Sequence, residues 1–138
     1  LKDSTLIQKK FIQIRFMLVC SKSYIDKYSL MTSLGDLQSH KYLSFRPMEN
    51  QLKESGAVIK PVLRTDSLTM LLKMALKGDG ITVLPDFICQ SYFDSKELIR
   101  VLPSWSSKSE TSHILYPPTK NLSKKVKAFI EVAQSIYS

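Results

Sequence analysis

The stretch "TDSLTMLLKMALKGDGITVLPDF" (residues 65–87) constrains the fold more than any other. Asp66 or Ser67 supplies a side-chain oxygen ahead of Leu68, Leu71, Leu72, Ala75 and Leu76, whose i, i+3, i+4, i+7, i+8 spacing lays one apolar stripe along a capped helix. Gly78 falls where a left-handed C-cap is wanted, and Gly80 relieves the turn into the strand "ITVL". Pro85 then suits the first turn of another helix, "PDFICQSYF", where its missing N–H is not needed. The same order argues against a phosphate loop, which runs strand, glycines, helix and turns helix amides to the anion. Here carbonyls face the break.

"FMLVC" (16–20) is continuously apolar and predicts an interior strand covered on both faces. "SKSYIDKYS" carries cap and helix material, and "TSLGDLQSHK" reads as a polar connection to the short strand "YLSF" (42–45). "RPMENQLKESGA", with a proline, a glycine and mixed charge without periodicity, reads as a loop and as the least ordered part of the chain. Short strands follow in "ELIRVLPSW" and "SHILYPP". A last helix starts from Ser123, with Val126, Phe129, Ile130, Ala133 and Tyr137 on one face and Lys124, Lys127, Glu131 and Gln134 outside. Strands alternating with helices make this an α/β protein.

The 138 residues suffice for one ordinary domain, which buries about two thirds of the surface of its unfolded chain. No apolar run approaches the roughly 20 residues that cross a bilayer, and no secretory signal pattern opens the chain. Cys20 and Cys89 stand far apart without metal-ligand spacing and read as buried reduced thiols. The net charge of +8 comes from isolated lysines and pairs (Lys9-Lys10, Lys124-Lys125), the pattern of a solvated face rather than a nucleic-acid footprint. His40 and His113 lie in no HExxH or GxSxG pattern and read as surface histidines; a Cys/His pair assembled only in space stays open. The sequence therefore predicts no catalytic set, no metal ligands and no cofactor. Met70 and Met74 widen the apolar surface of the first helix beyond one core contact, which fits either core plasticity or a subunit contact.

The order and spacing of "TDSLTMLLKMALKGDGITVLPDF", "ELIRVLPSW" and "ILYPPTKNLSKKVKAFIEVA" closely resemble the effector-binding domain of LysR-type transcriptional regulators. "DSTLIQKKF...RFMLVCSKSYI" and "LGDLQSHKYLSF" extend the resemblance over nearly the whole chain. It implies a type 2 periplasmic-binding-protein-like α/β fold, with residues 17–111 as the second subdomain and residues 1–16 and 112–138 as a remnant of the first. The crossing strands would be "FMLVC" and "ILYPP". The family's winged helix-turn-helix, linker helix and opening elements have no counterpart here, and the chain does not begin with Met, so a piece of a longer protein is expected. The apolar face of the terminal helix would then lack its partner surface and be displaced, swapped or covered by a second copy.

By position, the resemblance assigns effector contacts to Asp3 and Ser4, Ser21, Ser44, Phe45, Arg46 and Pro47, and Asp66 and Ser67. Arg46 is the residue for a carboxylate, since its planar fork donates two parallel hydrogen bonds. An aspartate at position 66, where relatives often carry Asn, would neutralise the helix amides and leaves room for a neutral or cationic effector. The resemblance further implies a small-molecule effector, a homo-oligomer using Met70 and Met74, a cytoplasmic location, no membrane, and DNA contact only through a helix-turn-helix that this chain lacks. A solute-binding protein or an enzyme on the same fold is the alternative.

Overall fold

The computed structural model describes residues 8–116 and 122–137. Its elements are β1 (Gln8–Ile14), β2 (Phe16–Cys20), α1 (Lys22–Ile25), β3 (Tyr42–Phe45), α2 (Glu49–Glu54), β4 (Pro61–Thr65), α3 (Leu68–Leu76), β5 (Ile81–Pro85), α4 (Asp86–Asp94), β6 (Ile99–Arg100), β7 (Glu110–Tyr116) and α5 (Leu122–Tyr137). Five strands form one sheet in the order β4-β3-β5-β2-β6, with β3 parallel to β4 and β5, and β2 antiparallel to β5 and β6. Every residue of β3 and β5 is buried, as strands covered on both faces must be. The edge strand β4 alternates instead, and Val62 is 63% exposed.

The placing of "FMLVC" differs from expectation. Gln8–Ile14 pairs antiparallel with Glu110–Tyr116, from Gln8 opposite Tyr116 to Ile14 opposite Glu110, as a separate two-stranded ribbon. "FMLVC" belongs to the five-stranded sheet, entered through the single residue Arg15. The physical reason lies in composition: "QKKFIQI" mixes lysine and glutamine with its apolar residues and suits a ribbon, whereas an unbroken apolar run needs cover on both faces. Pro117 and Pro118 lie outside the described residues.

The corner between α3 and β5 forms as predicted. Gly78 has φ +83°, its N–H bonds Ala75 O, and Asp79 N–H bonds Met74 O, the paired closure of a helix C-terminus. A Cβ on Gly78 would come 2.6 Å from Ser23 Oγ, and one on Gly80 would overlap the Lys41 carbonyl oxygen where β3 and β5 begin to pair. Ser67, not Asp66, is the cap: its Oγ accepts from Met70 N–H at 3.1 Å.

Three other expectations change. "RPMENQLKESGA" is not a loop but a 3-10 turn followed by α2, because Leu52 reaches the core and the buried Glu49 bonds Ser44 and Arg64. His40 is buried, with Nδ1 2.8 Å from Tyr24 Oη, while the His113 side chain lies outside the described ones. The terminal helix finds its partner within the chain. Val126, Phe129, Ile130 and Ala133 are buried, Phe129 meets Phe87 edge-on at 4.8 Å, and Gln134 Oε1 accepts from Leu68 N–H. Its last turn sets Tyr137 edge-on to Phe16, itself stacked on Phe45 at 5.4 Å.

Candidate functional site

The parallel strands β3, β4 and β5 all end at one edge of the sheet, where open α/β sheets receive ligands. Phe16, the first residue of β2, pairs with Pro85, the last of β5, so the β1/β7 ribbon departs from that same edge. The sequence places Arg46 directly after β3 and Asp66 directly after β4, and pairing of Phe45 with Thr65 brings the two side by side. Arg46 Nε lies 3.6 Å from Asp66 Oδ1, and the side chains are 57% and 75% exposed. So exposed a pair contributes little to stability, which leaves both charges open to a ligand.

The turn carrying Arg46 is held from below. Ser44 Oγ donates to Glu49 Oε2 at 2.5 Å, spanning the Arg46-Pro47-Met48 turn, and Arg64 of β4 donates to both oxygens of Glu49, at 2.9 Å from Nε and 2.6 Å from Nη2. Glu49 is only 7% exposed. The Arg64 hydrogen bonds hold its carboxyl below the usual carboxylate range against the opposing effect of burial.

Beside the ribbon, Ile12, Gln13, Asp86, Phe87 and Gln90 line an open hollow of about 410 Å³. Asp86 begins α4, its N–H bonded to Arg15 O at 2.8 Å and its Oδ1 accepting from Phe87 N–H. Burial lifts its carboxyl above the usual range despite these bonds. Sequence reasoning missed Glu49, Arg64 and Asp86. Only the acidic residue straight after "ITVLP", at a strand's carboxyl end, was a readable signal.

Of the residues expected to meet an effector, the structure assembles Arg46, Pro47, Asp66 and Ser67 at this edge, with Ser67 occupied as the α3 cap. Ser44 and Phe45 belong to the same strand end but are buried, Ser44 bonded to Glu49 and Phe45 stacked on Phe16. Ser21 stands apart. It caps α1 at the opposite end of the sheet, roughly 15 Å away at about 3.3 Å per strand residue, and its Oγ is 2.8 Å from Ser23 Oγ. Asp3 and Ser4 lie outside the described residues. Met70, 45% exposed, and half-buried Met74 line a groove of about 390 Å³ on the outer face of α3.

Both thiols are buried, and burial pushes the Cys20 thiol up to about 12 and Cys89 higher still. Among the described residues, no three His, Cys, Asp or Glu side chains are grouped to hold a metal ion, and no helix is long and apolar enough to cross a membrane.

The model of the LysR substrate binding domain matches residues 1–137. An HTH-type transcriptional regulator of Haemophilus influenzae is 29% identical over 134 residues, covering 91% of this chain and 46% of its own length. Another, from Xanthomonas campestris pv. campestris, is 24% identical over 143 residues, covering 95% of this chain and 42% of its own length. The chain thus spans about half the length of these curated relatives. The regulatory domain of CrgA, a LysR-type regulator from Neisseria meningitidis, shares the fold with a TM-score of 0.66 at 21% identity, over 99% of this chain and 71% of that one. Full-length AphB of Vibrio cholerae shares it with a TM-score of 0.63 at 21% identity, over 97% and 49%.

Proposed function

The chain belongs to the LysR substrate-binding domain family, and from that membership we propose that it is the ligand-sensing portion of a bacterial LysR-type transcription factor. Its fold is the periplasmic-binding-protein-like type 2 fold of such regulatory domains. In this reading residues 17–111 act as the second effector subdomain, and residues 1–16 and 112–138 as part of the first. A small molecule lodges at the sheet edge from which the ribbon departs. Its binding biases the ribbon's angle, and so the placement of DNA-binding domains carried elsewhere in the full protein.

The observation that carries this reading is the open Arg46–Asp66 pair at the carboxyl ends of two parallel strands. Arg46 is the direct contact, with Pro47, Asp66 and Ser67 beside it. Ser44 and Phe45 support it from the strand below, while Asp3, Ser4 and Ser21 retain a role on the resemblance alone. Met70 and Met74 serve a contact between copies of the chain. The molecule works in the cytoplasm and has no catalytic role; the names of the two relatives described above, both transcriptional regulators, support the latter.

The test is calorimetric titration of the intact protein with small organic acids, amines and amino acids, repeated for Arg46→Ala. Loss of the Arg46 fork should weaken a bound carboxylate about tenfold or more. An unchanged affinity would remove Arg46 from the site.

A further inference from the structure

We propose that the effector is zwitterionic, carrying a carboxylate and an ammonium group on one carbon as an α-amino acid does. The inference rests on the reading of the Arg46 edge as the effector site and narrows its chemistry. Parallel pairing of β3 with β4 sets the residue after Phe45 beside the residue after Thr65, so the register itself puts opposite charges 3.6 Å apart. Neither side chain is committed elsewhere. Ser67 caps α3, Thr65 Oγ1 takes the Ser67 N–H, and Arg46 and Asp66 have no other side-chain partner among the described residues.

Next to this pair the buried Glu49 carboxylate is occupied, by two hydrogen bonds from Arg64, itself 53% exposed, and by one from Ser44. The Arg46–Asp66 pair therefore sets the local polarity where β3 and β4 end. A simple anion gains from the Arg46 guanidinium but meets the Asp66 carboxylate within a few ångströms, and a simple cation meets the reverse. A carboxylate and an ammonium on one carbon match both partners. Arg46 donates two parallel N–H bonds to the carboxylate, and Asp66 accepts from the ammonium. The staple from Ser44 to Glu49 spans the turn that presents Arg46 and holds its backbone.

The test titrates the intact protein with the twenty standard α-amino acids. Each binder is then compared with its des-amino carboxylic acid and its decarboxylated amine. The amino acid should bind about tenfold or more tightly than either truncated analogue. Asp66→Asn should weaken the amino acid about tenfold while strengthening the des-amino acid, a reciprocal change that damage to the fold cannot produce. Arg46→Gln should weaken both carboxylates and spare the amine. A des-amino acid that binds wild-type protein as tightly as its parent overturns the zwitterion inference and leaves the Arg46 site standing. Amino-acid binding indifferent to both substitutions overturns the inference and the site together, and no binding by any of the twenty overturns the inference alone.

Discussion

Glu49 shows how one residue's role escapes a linear reading. It sits in a stretch of mixed charge; Ser44 meets it across a local turn, but Arg64 meets it only because β3 and β4 pair in parallel. Glu49→Gln leaves Arg64 and Ser44 with one neutral amide and should cost about 1–2 kcal/mol, read from urea midpoints at pH 7. The pH dependence has a definite sign. A carboxyl held below its ordinary value in the fold contributes its full stability above that ordinary value and loses it as pH falls through the lowered folded one. The gap between wild type and Glu49→Gln should therefore shrink from pH 6 to pH 3; a constant gap would show that the ionised carboxylate is not what matters. Cys20, by contrast, was legible as a buried thiol. Its burial and raised thiol predict no alkylation by iodoacetamide at pH 8 until urea unfolds the chain, and fast native labelling would contradict that placement.

Elements were legible where their signals are local. The cap, stripe and glycine stop of α3 lie within a dozen or so residues of one another, and the structure reproduces them. Gly78→Ala forces an alanine to φ +83° beside a serine hydroxyl that can rotate away, for about 1–2 kcal/mol. Gly80→Ala should cost more, because its obstacle is the backbone carbonyl of Lys41, which β5 needs as the acceptor for Ile81 N–H. Paired thermal melts check the order, and equal losses would refute it. α2 was hidden for the opposite reason: a six-residue helix has room for one core side chain, Leu52, so no periodicity develops. β1 was passed over because a two-stranded ribbon asks only weakly for an apolar pattern.

At the scale of the molecule, α5 decides how the apolar surfaces are closed. Its stripe was readable, but which surface would cover it was not: Phe87 lies 42 positions away in sequence from Phe129. Phe129→Ala should cost about 3 kcal/mol in urea unfolding, while Glu131→Ala on the outer face should stay within about 0.5 kcal/mol. A silent Phe129→Ala would mean that the helix seeks its cover elsewhere. The sequence by itself determined the α/β class, the corner at Gly78, the family and the position of Arg46, since each follows from neighbours along the chain or from an ordered set of short motifs. Only the tertiary structure decided that Gln8–Ile14 rather than "FMLVC" pairs with Glu110–Tyr116, that α5 closes on its own chain, and that Arg46 meets Asp66. Those outcomes depend on strand register and on which apolar faces meet, and a contact between residues far apart in sequence leaves no periodic trace in either of them.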